Sequence, residues 1–597
     1  MNIGDIYAGK PDANDEIRER GYDEFENSYI RPTGINIDGL VSTEYGTPFF
    51  VMGDKGTGKT ALLHFLEKYA LEKDSAACSS FISFEKNVTQ PLRNKFNVIS
   101  NSINSSIQID KSIASKGLSI ESDFFYIWKW QFYQKIINDN LEFNEGLFVN
   151  DDNWDKFKKQ VEKIERTTNK DKMHIPAKFS LSASTDANKG TVTSTLSVEP
   201  LDLSNCNFNN SVSYTEFVKI INNAEVYLNK VIRTDIPYYI FVDELEAYRA
   251  EDSTFYRDLR LIRDLLFVIK HLNDLFNGGT KILCSVRPEI INAINKFIQS
   301  KQLHKITQGY DERLNWEYTN TNSFNHPIIG ILLKRIETAE KRNGNVNINK
   351  ETIIKKWFVR TVYNKNICTY ILDNTWHKPR DIVRLLLAAQ SKHSRNFSIF
   401  NQNTFETFMS AYSKQCLQEV KEELKALYTA SQIDNIFSCL QGFKVVFSYK
   451  EIVERIKALY PNSDISTDII GVLNVLYRIG VIGNTMDNEF SQRWEYKEQY
   501  NLFIDEPWKM IIHPSLRYEL SISRRKDKYF GPNKKSVTCE DYNTYKATIK
   551  RISYRYIIVQ ILKNGEIQEE GYISMYKSYF PLTLSPIASE IAKLNIS

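Results

Sequence analysis

Eight consecutive residues, Gly53-Asp54-Lys55-Gly56-Thr57-Gly58-Lys59-Thr60, constrain the fold of this chain more than any other stretch. Glycines at the first, fourth and sixth places permit a tight loop whose backbone N–H groups converge on one point. The flanks agree with such a loop. Thr47 to Met52 (TPFFVM) is an apolar run of strand length, and Ala61-Leu62-Leu63-His64-Phe65-Leu66 carries apolar residues at helical spacing. A strand, a glycine loop and a helix in that order aim loop amides and the positive end of a helix at an anion. The pattern GxxxxGK[ST] arises by chance in a chain of this length with a probability on the order of 0.01. It assigns Gly53, Asp54, Lys55, Gly56, Thr57, Gly58, Lys59, Thr60 and Ala61 to holding the phosphates of a nucleotide. Lys59 is expected on the β and γ phosphates, where it counters charge that develops during transfer, and the Thr60 hydroxyl on Mg²⁺.

A metal-bound triphosphate needs a second acidic partner at the end of a neighbouring strand. Tyr238 to Val242 (YYIFV) reads as that strand and ends in Asp243-Glu244. Asp243 is expected to hold the metal through water, and Glu244 to orient and deprotonate the attacking water. Many strands end in an acid that is merely solvated; the loop upstream gives this one its meaning. A third strand, Lys281 to Val286, leads into Arg287-Pro288-Glu289, which puts Ser285 or Arg287 beside a γ-phosphate. Further on, His377-Lys378-Pro379-Arg380-Asp381 precedes IVRLLLAA, so Arg380 lies in the first turn of a helix. A cation there opposes the helix dipole and requires another partner, either a nucleotide phosphate or Asp381 or Asp373. Arg257, Arg260 and Arg263 recur at spacing three on a helix near 255–274 whose Leu259, Ile262, Leu266 and Ile269 point inward. They are either a solvated face or the source of an arginine acting in trans.

At 597 residues the chain is too long for one hydrophobic core. With 42% apolar and 25% charged residues it belongs to the globular class, not the disordered or collagenous ones. Lys and Arg number 77 against 73 Asp and Glu, a net charge of +4 that excludes a wholesale nucleic-acid coat. The seven cysteines, Cys78, Cys206, Cys284, Cys368, Cys416, Cys439 and Cys539, show no CxxC or His-paired spacing. Neither zinc nor a disulfide framework is indicated, and a reducing cytoplasm fits. The start lacks the order of a signal peptide, and no stretch reaches the roughly 18 apolar residues of a membrane span. The expectation is a soluble cytoplasmic protein without membrane contact.

The expected organisation is an extended lead-in over 1–45 and an α/β core with a mostly parallel sheet over 46–320. That core is interrupted at about 85–235 by a helical and β-hairpin insertion, whose hairpin alternates Phe179, Leu181, Ala183 against Val192, Leu196, Val198. A helical lid over 321–430 follows. In 431–520, Ser448 and Glu451 form a capping-box pair, and the helix Thr467 to Ile479 precedes an alternating aromatic segment, resembling a winged helix. From 521 the chain turns basic, with 13 Lys and Arg against 7 Asp and Glu. Its short strand-like runs suggest a small β-rich, OB-like domain. Any nucleic acid would meet Arg524, Arg525, Lys526, Lys534 and Lys535, or Lys550, Arg551 and Arg555 among Tyr545, Tyr554 and Tyr556. A solvated barrel with core tyrosines is the alternative.

The loop at 53–60, Asp243-Glu244, SVRPE at 285–289, KPRD at 378–381 and the segment after them together resemble AAA+ and STAND-type P-loop ATPases, with the layout of the origin-recognition branch. KGTGKTALL, IFVDELEA and KPRDIVRLL are similar to bacterial P-loop ATPases of anti-phage defence neighbourhoods. In STAND relatives the basic residue after the sensor strand meets the γ-phosphate, which falls here on Arg287; the lid proline falls on Pro379. The second glycine-containing lid signature is absent. The resemblance implies ATP and Mg²⁺ as cofactors, with Glu244, Lys59, Arg287 and Arg380 catalytic and Thr60 and Asp243 at the metal. It also implies a homo-oligomer that couples hydrolysis to DNA or RNA engagement or to control of an effector protein. A switch that recruits an effector without touching nucleic acid is the alternative, favoured by a presumed recognition helix with Arg478 and no lysine. No acceptor motif for a kinase and no separate carboxylate cluster for a nuclease accompanies these features.

Overall fold

The computed structural model describes residues 1–94, 96, 124–168, 183–185, 192–194, 214–247, 252–298, 303–316, 322–391, 396–486, 492–522, 545–552, 556–563 and 566–574. Residues 1–522 make one compact unit and 523–597 another. Five strands form the central sheet of the first: β1 (Phe50–Met52), β2 (Cys78–Ser83), β3 (Tyr238–Asp243), β4 (Thr280–Val286) and β5 (Asp311–Arg313). Their order is β2-β3-β4-β1-β5 and every pairing is parallel, as in an α/β nucleotide-hydrolase-like core. Strands β1, β3 and β4 are buried along their whole length, which is why β1, 238–242 of β3 and 282–284 of β4 read as apolar runs. In β3 and β4, Ile240, Phe241, Val242, Ile282, Leu283 and Cys284 are fully enclosed.

The register carries the chemistry. Ser83 pairs with Asp243, Val242 with Cys284, and Ser285 with Val51. Ser83, Asp243 and Ser285 therefore reach the same level at the carboxyl ends of the strands, where the glycine loop leaves β1. That edge of an open parallel sheet is where ligands bind.

Two expectations are revised. Residues 1–45 are not an extended lead-in: α1 (Ala13–Arg20) and α2 (Tyr22–Ser28) occupy much of the segment. Asp12 caps α1 by accepting from the Asn14 N–H, and Asp15 and Glu16 sit in its first turn, where the helix dipole favours acids. The arginines after β3 are also not a solvated face. On the long helix Asp252–Phe276, Arg257 and Arg263 are 4% and 3% exposed. Arg257 bonds Asp258 and Gln90, and Arg263 bonds Asp264 at 2.7 Å. The insertion helix Phe125–Glu142 packs on this helix, with Trp128 Nε1 donating to the Leu261 carbonyl at 2.9 Å, and Arg257 is also held by Gln90 of the segment before it. Two buried guanidiniums, each paired with a carboxylate of its own chain, are not available to a neighbouring subunit.

Of the expected hairpin, Ala183–Thr185 and Val192–Ser194 pair antiparallel; Phe179, Leu181, Leu196 and Val198 lie outside the described residues. Helices α3 (Lys59–Lys73), α4 (Pro327–Arg342), α5 (Pro379–Gln390) and α6 (Gln402–Leu424) position the site below. After α6 come Ala430–Leu440, Tyr449–Leu459 (capped by the Ser448–Glu451 box), Asp464–Thr467 and Ile469–Arg478. An antiparallel sheet of Val446–Phe447, Lys509–Ile512, Ile482–Thr485 and Gln492–Arg493, in that order, completes this part. In the second unit Tyr545–Ile552, Tyr556–Lys563 and Glu566–Ser574 form a three-stranded antiparallel sheet. Lys550, Arg551, Tyr545 and Tyr556 lie on it; Arg524, Arg525, Lys526, Lys534, Lys535, Tyr554 and Arg555 lie outside the described residues. No described helix is long and apolar enough to cross a membrane.

The α4 and α5 region is joined to the antiparallel sheet by a buried aromatic group. Trp376 stacks on His513 at 4.3 Å, His377 meets His326 at 4.7 Å, and His326 caps α4. Burial, and then the neighbouring His377, pull the His326 imidazole down to about 3. Below pH 6.5 the unfolded chain takes up a proton there that the folded chain refuses, so this stabilisation is present above that pH and is lost as pH falls toward 3. His326→Asn keeps a capping oxygen but removes the titration. Its penalty, measured by urea unfolding at pH 7.5 and 5.5, is expected to shrink by about 1 kcal/mol at the lower pH; an unchanged penalty would mean that His326 is not held neutral.

Candidate functional site

The loop after β1 is built by local hydrogen bonds and two left-handed glycines. The Gly53 N–H donates to Val286, and Thr57 Oγ1 returns to the Asp54 carbonyl at 2.9 Å. Gly56 and Gly58 adopt φ of +84° and +91°, which side chains resist. A Cβ on Gly53 would fall 2.5 Å from Thr57 Oγ1, so that position is closed to any larger residue. Gly58 caps α3 without a side chain, leaving the N–H groups of the first turn of a 15-residue helix open toward the cleft.

Lys59 is 8% exposed, and its Nζ donates to the Gly53 and Asp54 carbonyls at 2.7 and 2.9 Å. Burial, followed by the nearby Arg287 charge, lowers this ammonium to about 8. A buried cation whose charge is penalised by burial is one that an anion would stabilise. Thr60 Oγ1 donates to Asp243 Oδ2 at 2.6 Å, and Ser285 donates to the other oxygen of the same carboxylate. The structure thus gathers Lys59 and Thr60 from the start of α3 with Asp243 and Ser285 from the ends of β3 and β4. Oxygen donors such as Thr60 and Asp243 suit Mg²⁺.

Glu244 follows at φ +60°, a left-handed turn that directs its side chain away from the β3 ladder. Its carboxylate accepts from Ser83, from Asn14 Nδ2 at 3.3 Å and from Lys86 Nζ at 3.4 Å. Arg287 pairs with Glu246. Arg380 lies directly over the loop: its N–H donates to the Gly56 carbonyl, its Nη1 bonds Glu419 Oε1 at 2.8 Å and its Nε bonds the Pro11 carbonyl at 2.9 Å. Neither Asp381 nor Asp373 is that partner; Asp381 pairs with Arg384 and Asp373 with Lys365. Pro379 rests against Gly58. Lys55 is held by Glu422 at 2.6 Å. Burial would raise the Glu419 carboxyl, but Arg384, Arg380 and Lys55 bring it down to about 2.

Several of these residues line one cleft that is open to solvent. Its walls include Lys59, Thr60, Asp243, Glu244, Ser285, Arg287 and Arg380, joined by residues that the sequence pattern does not reveal. Phe25, Tyr29 and Ile30 come from the N-terminal segment, Ile331 and Arg335 from α4, and Trp316 donates to the Thr57 carbonyl at 2.9 Å. Phe25, Tyr29, Ile30, Trp316 and Ile331 give part of the cleft an apolar and aromatic lining of the kind that accepts a ring system. Ser83, Asn14, Glu419 and Glu422 had no usable sign, because nothing local marks a hydroxyl, an amide or an acid for a partner tens to hundreds of residues away. A scan against protein-family models and a search of curated proteins both found no match to the chain.

Proposed function

We propose that the protein is a Mg²⁺-dependent ATP hydrolase of the P-loop NTPase class, AAA+/STAND-like, that oligomerises and uses nucleotide binding and hydrolysis to control a partner. The observation that carries this reading is the convergence of Lys59, Thr60, Asp243 and Ser285 at the carboxyl ends of β1, β3 and β4, beside a cleft with an apolar end. Gly53 to Ala61 would hold the phosphates, and Thr60 and Asp243 the metal. Bound Mg²⁺ supplies neutralising charge on phosphate oxygens. Lys59 and Arg287 add fixed positive charge, Ser285 orients Asp243, and Glu244 is the residue placed to hold a water and accept its proton.

Two outputs follow from the resemblance: engagement of DNA or RNA, through a winged helix or an OB-like tail, or a switch that recruits an effector protein. One observation favours the switch. On the helix Ile469–Arg478, Ile470 and Asn474 are exposed and Asp468 caps the start, a face with little to offer phosphates. The Lys378, Pro379 and Arg380 stretch, in contrast, joins the glycine loop to α6. The anti-phage setting and a cytoplasmic location rest on the resemblance alone.

Mass measurement of the purified chain with ADP, with a slowly hydrolysed ATP analogue, and with added single-stranded DNA or RNA tests this. Assembly with the analogue alone supports the switch, and a nucleic-acid requirement supports the other output. No binding of either nucleotide in the presence of Mg²⁺ would overturn the ATPase reading itself.

A further inference from the structure

The carbonyl groups of the glycine loop matter to an anion as much as its N–H groups do, because a carbonyl oxygen turned toward a phosphate repels it. Lys59 Nζ binds the Gly53 and Asp54 carbonyls, the Arg380 N–H binds that of Gly56 at 3.3 Å, and the indole Nε1 of Trp316 binds that of Thr57 at 2.9 Å. The first donor belongs to α3 and the second to α5. Trp316 belongs to neither. It follows β5, the edge strand paired with β1, and the Leu314 N–H extends that pairing by donating to the Met52 carbonyl at 2.8 Å.

A trans peptide holds its C=O and the following N–H on opposite sides, so the direction of the Thr57 carbonyl sets the direction of the Gly58 N–H. Turning this peptide over changes only the ψ of Thr57 and the φ of Gly58. Gly58 stands at φ +91°, and a glycine accepts the negative value about as readily. Backbone preference at Gly58 therefore does not choose between a loop that offers an N–H to an anion and one that offers it the Thr57 oxygen. The indole does choose. Thr57 is 5% exposed, so water is a poor substitute for that donor. Trp316 is itself 4% exposed and belongs to the apolar core that contains Ile6, Ile328 and Ile331, so packing fixes where its N–H points.

Resting on the nucleotide reading of the cleft, we propose that Trp316 is a positioning residue for the phosphates, its indole N–H holding the Thr57–Gly58 peptide in the orientation that offers the Gly58 N–H to the anion. Gly58 lines the cleft and caps α3, so its N–H joins those of the first helical turn. Trp316 acts on the phosphates only through the loop.

The test replaces Trp316 in the full chain in two ways and measures the dissociation constants of Mg²⁺–ADP and Mg²⁺–pyrophosphate. β-(3-Benzothienyl)alanine at this position keeps the shape of the side chain and exchanges the N–H for a sulfur; Trp316→Phe loses the N–H and also shrinks the ring. Pyrophosphate has no ring to meet the aromatic lining, so it isolates the loop. Loss of one buried hydrogen bond predicts that both ligands bind about threefold to tenfold more weakly to both altered proteins. The benzothienyl protein decides. If it binds pyrophosphate as tightly as the parent chain does, the indole serves packing or the base alone, and the proposal is overturned while the nucleotide reading stands. A parent chain that binds neither ligand overturns both.

Discussion

Glu244→Gln is expected to bind Mg²⁺–ATP as tightly as the parent chain and to hydrolyse it at least about 100-fold more slowly, the contribution of a positioned general base. The amide is nearly isosteric with the carboxylate and retains one oxygen to accept from Ser83, so the fold around β3 is not disturbed. What it loses is the capacity to take a proton. Lys59→Ala is the contrasting variant. Lys59 is buried and reaches two carbonyls of its own loop, and an anionic ligand would replace those contacts. Removing such an ammonium costs about 2 kcal/mol or more, so affinity is expected to fall by at least about 30-fold. The pair separates the two roles: one variant binds without turning over, the other fails to bind. Equal hydrolysis by Glu244→Gln and the parent, in enzyme freed of contaminating activity by a second purification step, would remove Glu244 from the chemistry.

The elements legible in the sequence are those whose burial is uniform or periodic. β3 and β4 are buried throughout, so 238–242 and 282–284 read as apolar runs; the Tyr449–Leu459 helix announces itself by a capping box. β2 (CSSFIS) was hidden because it is the edge strand, only half-buried along its length, with three serines where apolar residues would signal a strand. β5 is three polar residues that pair on the other edge. The arginines after β3 misled for a different reason. Spacing three on a helix suggests a polar face, but the carboxylates that satisfy Arg257 and Arg263 are their immediate neighbours Asp258 and Asp264, so a helix enclosed by the insertion can bury them. The glycine loop and Asp243 were legible because chemistry there demands fixed residue types at fixed places. The contacts that hold Glu244 and Arg380 were not, because Asn14 and Glu419 meet them only through the fold.

Glu16 shows how much of the site depends on such a distant contact. It is 3% exposed, and its carboxylate accepts from both terminal nitrogens of Arg335, from the Lys10 N–H at 3.0 Å and from Ser28 Oγ at 3.4 Å. Arg335 is 7% exposed and packs against Gly9, where a Cβ would fall 2.5 Å from its guanidinium. Taking away one partner of a buried pair strands the other charge, at a cost of about 3–5 kcal/mol. Glu16→Gln is expected to meet that cost by local release, because the chain around 1–30 can detach from α4 and let water reach Arg335 while the sheet stays folded. Amide hydrogen exchange should therefore accelerate across α1 and α2 by a factor of 100 or more, by the same order-of-magnitude estimate, with the amides of β3 and β4 unchanged. Replacing both partners, Glu16→Met with Arg335→Met, removes the stranded charge and should recover most of the protection, since a buried pair and an apolar pair of similar size are close in free energy. If Glu16→Gln leaves α1 as protected as in the parent, the pair does not hold the N-terminal segment on α4. Acceleration that spreads to β3 would instead mean that α1 is integral to the core.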